Sequence, residues 1–435
     1  MTRSELKPTV ALVDWTHLVE DFLDNTGVTL EQFREEMLGS WLFGYIDALQ
    51  LAGVRPVFFS VSARVESTLR FRHEPTGATV CILPAPKAYR VTRRLVANPY
   101  AIRLDSAIGD AGGAQRIALG ALKHLAPYLS TPLVQLAREL RAQGCRAILC
   151  QDYEHARFDE CVVVGRALRL PVFATFQGGD WQLSRLEPLL RPLALRYCAG
   201  LIIATKAEAE RVRASYRVPA RKIRRLFNPV DLEGWAPTDR GESRKELGIP
   251  LEAGVAAWHG RLDYEVKGLD LLLDAWEGVC RERAGRELRL LLVGTGQHAE
   301  ILRRRIAALP DANVIWKDEF VHDRALLRRC LAAADVYVFP SRHEGFPVAP
   351  VEAMACGLPV VASSAPGIAD ILDEDEESGG ILVPPEDAPA LGRAIGSLLD
   401  DERRRLALGK RARRRVEAAF SPEAIGRELR AFLFG

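Results

Sequence analysis

The chain has 435 residues, 48% of them hydrophobic and 27% charged, with 59 Lys and Arg against 57 Asp and Glu and a formal net charge of +2. That length exceeds what one hydrophobic core usually supports, so two domains are expected, and the apolar fraction argues against long disorder. Mean hydropathy is -0.03, and no apolar run reaches the roughly eighteen residues that a membrane-spanning helix needs.

The near balance of charge conceals an asymmetry. Residues 1–228 carry 31 Lys and Arg against 22 Asp and Glu, whereas 229–435 carry 28 against 35. Oppositely charged halves fit two domains with different partners; drift of solvated surface charge is the plain alternative. The N-terminal stretch Met1–Lys7 leads straight into a strand-like segment and lacks the apolar core of a signal peptide. The eight cysteines form no CxxC pair and no Cys/His cluster of zinc spacing. They read as buried thiols in a reducing compartment, so a cytoplasmic location is expected.

Short apolar runs alternate with amphipathic stretches along the whole chain. In the first part, strands are expected at Thr9–Val13, Pro56–Ser60, Ala147–Cys150, Pro171–Thr175 and Gly200–Ala204. Helices are expected at Phe33–Ala52, Thr131–Gln143 and Cys161–Leu168, with Gly53 and Gly144 as left-handed caps. In the second part, strands fall at Val255–Trp258, Leu288–Val293, Val314–Trp316, Val336–Phe339, Pro359–Ala362 and Gly380–Val383. Helices fall at Gly268–Cys280, Ala299–Leu309, Arg324–Ala333, Pro350–Ala355 and Pro389–Asp400. The segment Asn228–Thr238 breaks the periodicity and marks a linker. Arg403–Phe434 is a long helical pattern interrupted near Phe420, with Ser421 placed to cap a last helix. Repeated strand–helix units predict two parallel α/β sheets, whose ligands bind beyond the carboxyl ends of the strands.

Three stretches after strands of the second half carry chemistry. In Ser341–Gly357, Glu344 leaves a strand through a loop and Glu352 lies in the first turn of a helix opened by Pro350. A carboxylate can accept from both hydroxyls of a vicinal diol, and free N–H groups at a helix start attract phosphate, which together describe a nucleotide site. A dipole-complementing acid and a loop charge are the plain alternative. In Trp258–Gly268, Arg261 and Lys267 flank a loop, and such a pair can neutralise a diphosphate leaving group; taken in isolation, an ordinary basic loop explains the pair better. In Leu291–Gln297, Gly294-Thr295-Gly296 makes a turn that lets backbone approach a ligand; an ordinary strand–helix turn explains it equally well.

Taken together and in this order, these stretches resemble the family 4 glycosyltransferases, which have the GT-B fold. The likeness runs from about Asn228 to Phe420. It includes Gly260-Arg261-Leu262-Asp263, Lys267-Gly268, Val293-Gly294-Thr295-Gly296, Ala334–Ser341, the two glutamates Glu344 and Glu352 with seven residues between them, and Gly380–Asp387. The resemblance implies two Rossmann-like domains with parallel sheets facing a central cleft. Residues 1–228, completed by the helix 421–435, would bind the acceptor, and 229–420 the nucleotide-sugar donor. Arg261 and Lys267 would hold the diphosphate, Glu344 the transferred sugar and Glu352 the ribose hydroxyls. Gly260, Gly294, Thr295, Gly345, Phe346 and Val348 would complete the donor site. The family retains anomeric configuration and usually needs no metal or other cofactor. The acidic run 373–377 is read as a solvated loop. The rival readings are a catalytically silent GT-B partner subunit and a sugar phosphorylase.

The first half follows the family less closely. Asp14-Trp15-Thr16-His17 stands where a glycine pair is usual, and Gln177-Gly178 where His-Gly is usual. Asp14, His17, Asp152, His155, Gln177 and Gly178 are the acceptor-side candidates; for Gln151–His155 a polar surface loop is the alternative. Between Glu74 and Asp105 there is no acid, while Lys87, Arg90, Arg93, Arg94 and Arg103 occur. Such a patch suits an anionic membrane surface or an anionic acceptor, or is simply a basic loop. Aromatic residues do not interleave with these charges, so no nucleic-acid partner is expected.

Overall fold

The computed structural model describes residues 7–14, 16–37, 41–96, 98, 100, 104–109, 112–176, 184–309, 313–319, 321, 323–344, 346–373 and 375–435. The chain divides into two compact units, one of residues 1–227 and 425–435, the other of 228–424.

The first unit holds strands β1 (Thr9–Val13), β2 (Arg55–Ser62), β3 (Leu69–Arg72), β4 (Thr79–Pro84), β5 (Cys145–Cys150), β6 (Val172–Thr175), β7 (Gly200–Ile202) and β8 (Ile223–Arg224). Among the described residues they form one sheet in the order β3-β4-β2-β1-β5-β6-β7-β8. The strand order reverses at β1, with β2 on one side and β5 on the other, both parallel to it. Alternation along β1 decides which face each residue serves. Ala11 and Val13 pack with Leu136, Leu140, Phe158 and Cys161 on one side. Val10 and Leu12 pack with Phe43, Tyr45 and Ile46 on the other. The last helix, Pro422–Phe434, adds Ile425, Leu429 and Leu433 to that second layer. Ser421 caps it, its Oγ accepting from the Ala424 N–H at 3.3 Å. A Cβ on Gly426 would meet the Ala48 carbonyl oxygen at 2.0 Å, so glycine there lets the helix lie against Trp41–Leu51.

The second unit holds β9 (Gly254–His259), β10 (Leu288–Val293), β11 (Val314–Lys317), β12 (Val336–Phe339), β13 (Val360–Ser363) and β14 (Gly380–Val383). Their order is β11-β10-β9-β12-β13-β14, with every strand pairing among the described residues parallel. The helices Leu269–Glu282 and Ala388–Asp400 close one face around Trp276, Leu272, Leu391 and Ile395.

The first unit departs from the sequence expectation in several places. Its sheet is not wholly parallel, because β3 runs antiparallel to β4 at the edge. The helix expected over Phe33–Ala52 is two helices, Leu30–Glu35 and Trp41–Leu51. A capping box between Thr29 and Gln32, with bonds of 2.9 and 3.1 Å, starts the first of them. A further helix, Gly113–Leu129, stands where none was expected.

Candidate active site

In the second unit β10, β9 and β12 lie side by side, so their C-terminal loops are neighbours. Glycines set how close those loops come. A Cβ on Gly294, which has φ +136°, would lie 1.9 Å from the Gly260 carbonyl oxygen. One on Gly296 would lie 2.2 Å from the Leu262 oxygen, and one on Gly268 2.1 Å from the Pro340 oxygen. The Leu262 N–H donates to the Thr295 oxygen at 2.9 Å, and the Arg342 N–H to the Val266 oxygen at 2.9 Å. Backbone therefore packs on backbone across three loops. Gly294 and Gly296 serve that packing, whatever a ligand gains from the same turn.

Each motif glutamate after β12 meets a basic residue of β9 or of the loop that follows it. Lys267 Nζ donates to Glu344 Oε1 at 2.6 Å, the two side chains being 19% and 11% exposed. His259 Nε2 lies 3.0 Å from Glu352 Oε2. Glu352 occupies the first turn of the helix Ala349–Ala355, and Val348 sits at its N-cap position. The buried Tyr337 hydroxyl donates to the His259 carbonyl at 3.2 Å and accepts from its N–H at 3.4 Å. Burial pushes that phenol well above its ordinary pKa. Arg342 anchors the loop with paired bonds to Asp270, both 2.7 Å, and to Glu386, 2.6 and 2.9 Å. Arg261 is exposed, with no ion-pair partner among the described residues. The Phe346 ring stacks with Phe420 at 6.2 Å.

Thr295 is engaged sideways: its Oγ1 donates to Asp318 Oδ1 at 2.7 Å, and Asp318 also takes Arg303 at 2.6 Å. Gly345 lies outside the described residues. Sequence reasoning missed His259. Its only signal there is position, as the one ionisable residue in the strand Gly254–His259.

In the first unit the candidates are held inside a buried polar network. Asp14 takes Arg157 on one oxygen, and Ser60 and Thr16 on the other. Arg157 also donates to the His17 carbonyl at 2.9 Å. His17 Nδ1 pairs with the Tyr89 hydroxyl at 2.9 Å, and its ring stacks on Tyr100 at 4.6 Å. Burial raises the Asp14 pKa against the opposing pull of Arg157. Burial, reinforced by Arg157, holds His17 well below the usual histidine range. Asp152 adopts φ +58° and accepts from the Glu154 N–H at 2.9 Å. His155 is lowered to about 3 by burial and then by Arg191 and Arg157, so its imidazole is neutral.

The surface-loop reading of 151–155 does not hold: Asp152 and Glu154 are 3% and 2% exposed. Burial follows because Arg191 and Arg211 reach in to pair with Glu154. Gln177 and Gly178 lie outside the described residues. Among the described residues, no group of three or more His, Cys, Asp or Glu is arranged to hold a metal ion.

Residues 253–401 match the family described as "Glycosyl transferases group 1". That is the stretch holding the interlocked loops. The second unit is a group 1 glycosyl transferase domain. Among curated proteins, this chain is 34% identical over 231 residues to a D-inositol 3-phosphate glycosyltransferase of Kineococcus radiotolerans, covering 50% of this chain and 53% of the relative. It is 33% identical over 214 residues to the GDP-mannose-dependent monoacylated alpha-(1-6)-phosphatidylinositol monomannoside mannosyltransferase of Corynebacterium glutamicum, covering 47% and 54%. The chain thus spans about half the length of the curated relatives it matches. Among solved structures, Anabaena HepE in complex with UDP aligns with TM-score 0.69 at 16% identity over 98% of this chain and 99% of that one. Sucrose-phosphate synthase from Thermosynechococcus elongatus aligns with TM-score 0.63 at 21% identity over 97% of each chain. The glycosyl transferase domain and its partner unit therefore share the GT-B fold, two α/β units each built on a mostly parallel sheet.

Proposed function

We propose that the chain is a retaining, metal-independent glycosyltransferase that moves a sugar from a nucleoside-diphosphate sugar to an acceptor hydroxyl. The observation that carries this reading is the pairing of both motif glutamates with basic residues of β9 and the loop that follows it, His259 with Glu352 and Lys267 with Glu344, in the same loop as Arg261, which has no ion-pair partner among the described residues. An ammonium has three donors. One serves Glu344, and the remaining two, with the Arg261 fork, take the donor diphosphate. Glu344 contacts the transferred sugar and Glu352 the ribose. The acceptor oxygen bonds to the anomeric carbon on the face from which the phosphate oxygen departs, and that phosphate oxygen takes the acceptor proton. No protein base is needed in this scheme. The two cations supply the charge neutralisation that a divalent metal supplies elsewhere.

The acceptor is proposed to be anionic. The relatives named above act on inositol phosphate and on a phosphatidylinositol glycoside by their descriptions. The helix Lys87–Leu95 supports a companion reading, peripheral attachment of a cytoplasmic protein to an anionic membrane surface. Lys87 and Arg94 are exposed on it, and Val91 and Leu95 are 55% and 52% exposed. Arg90 and Arg93 turn inward, to the Ala85 carbonyl at 3.1 Å and to Asp21 at 2.5 Å, and Arg103 lies outside the described residues. The surface signal therefore rests on two of the five basic residues.

The test is a thermal-shift panel of nucleoside diphosphates and nucleotide sugars, followed by product analysis with the donors that bind. A ligand at a hundred times its Kd stabilises by about 2.7 kcal/mol. Absence of any shift sinks the donor site. Binding without transfer or donor hydrolysis by the purified chain favours a silent partner subunit, and phosphate-dependent release of sugar 1-phosphate favours a phosphorylase.

A further inference from the structure

We propose that His259 is a positioning residue: it fixes the Glu352 carboxylate so that the site reads the ribose diol of the nucleotide. The inference rests on the donor-site reading above and adds to it a residue outside the recognised motifs. A carboxylate only accepts, so the 3.0 Å contact to Glu352 Oε2 requires the proton on His259 Nε2. The other nitrogen, Nδ1, is buried and has no hydrogen-bond partner among the described residues. A buried polar atom left unsatisfied is unfavourable, and the rest of the strand is Gly254-Val255-Ala256-Ala257-Trp258, all buried. An apolar residue would satisfy that core better. What the imidazole supplies in exchange is the one bond to Glu352.

The support behind the ring is rigid. Tyr337 clamps both backbone polar groups of His259 and meets its ring edge-on at 5.3 Å. Glu352 is held on a helix on the other side. The carboxylate is thereby fixed through one oxygen, while its side chain keeps 19% of its surface open. Each carboxylate oxygen accepts up to two bonds, so Oε1 and the second lone pair of Oε2 remain for two vicinal hydroxyls. Removing the imidazole frees the glutamate to rotate, and the cost falls on recognition of the diol, not on the diphosphate held by Arg261 and Lys267.

Calorimetric titrations of the full chain with UDP, GDP and ADP, and with their 2′-deoxy and 3′-deoxy counterparts, test this. The wild type should prefer the ribonucleotide of its best base by about tenfold or more. His259→Phe keeps the aromatic contact with Tyr337 and removes the donor; His259→Asn is too short to reach Glu352. Both should bring ribo- and deoxynucleotides to within about threefold of each other, and His259→Gln, which restores a donor, should recover the preference. A preference unchanged in both His259→Phe and His259→Asn overturns the inference, as does a wild type that binds nucleoside diphosphates without any ribose preference. A wild type that binds none of them removes the donor site itself and the inference with it.

Discussion

Replacing Lys267 by alanine separates a structural from a catalytic role for the Lys267–Glu344 pair. The bond is 2.6 Å long and Glu344 is 11% exposed, so removing the lysine leaves a poorly hydrated carboxylate without its counter-charge. Breaking a fully buried pair costs about 3–5 kcal/mol; partial exposure here reduces that to roughly 1–2 kcal/mol. The loss in catalysis should be larger. If the two remaining ammonium donors hold phosphate, each charge-assisted bond contributes roughly 1.5–3 kcal/mol, which together is about a hundredfold to ten-thousandfold in kcat/KM. Adding Glu344→Gln to Lys267→Ala removes the unpaired charge. The double variant should regain the stability lost in urea melts and regain no transfer rate. Initial rates against donor concentration, read beside the melts, decide the matter. A Lys267→Ala chain that transfers within about threefold of wild type, or a double variant whose activity returns with its stability, refutes the phosphate role.

Gly294→Ala should destabilise the second unit by roughly 2–4 kcal/mol, because the new Cβ would sit 1.9 Å from a backbone oxygen at a φ of +136°; a variant that melts like wild type refutes the packing argument. Burial pushes Glu160 up to about 8 from an ordinary 4.5. The folded chain then holds a proton that the unfolded chain releases, so this stabilisation is present at low pH and is lost as pH rises from the unfolded towards the folded pKa, by at most about 1.4 kcal/mol per pH unit. The Tm of wild type should fall relative to Glu160→Gln between about pH 5 and pH 8, and parallel pH curves would count against it. Lys87→Glu with Arg94→Glu should weaken binding to phosphatidylserine-containing vesicles by at least about tenfold, at roughly 1 kcal/mol per cationic residue lost; a wild type that binds such vesicles no better than neutral ones refutes the membrane reading. Donor affinity should fall only modestly as ionic strength rises from about 0.05 to 0.3 M, because salt screens the domain's long-range repulsion as well as the local attraction; a loss beyond about tenfold would show that long-range attraction governs binding.

The second unit was the more legible half because its central strands Gly254–His259, Val336–Phe339 and Val360–Ser363 are buried throughout and read as nearly unbroken apolar runs. Leu288–Val293, Val336–Phe339 and Gly380–Val383 have the expected bounds. The first unit hides its edge. Leu69–Arg72 is short, largely exposed and basic, so no period marks it as a strand. It also turns the chain back so that Thr79–Pro84 pairs with β2 without an intervening helix, which strand–helix alternation does not anticipate. The helix Gly113–Leu129 carries Gly113, Gly120 and Pro127, each a breaker by propensity, and is stabilised instead by packing. At the site, the motif residues could be named from their order, but not their partners. Lys267 and Glu344 are 77 residues apart and His259 and Glu352 are 93 apart, distances over which spacing carries no information.

Pairing also explains why net charge is a poor guide to what this chain binds. The acidic half must hold an anion if it binds a nucleoside diphosphate, which its 35 acids against 28 bases would oppose. Many of those acids are already neutralised by arginine. Asp335 is shared by Arg240, Arg244 and Arg405, Asp400 by Arg283 and Arg286, and Asp270 is taken by Arg342. Against that background Arg261, exposed and unpaired among the described residues, stands out beside a lysine with two spare donors. The basic half shows the converse. Arg157 and Arg191 are consumed inside by Asp14 and Asp159, so its surplus over the acids is borne at the surface, Lys87 and Arg94 included. In both units the residues left over after pairing, rather than the totals, set where an anion is attracted.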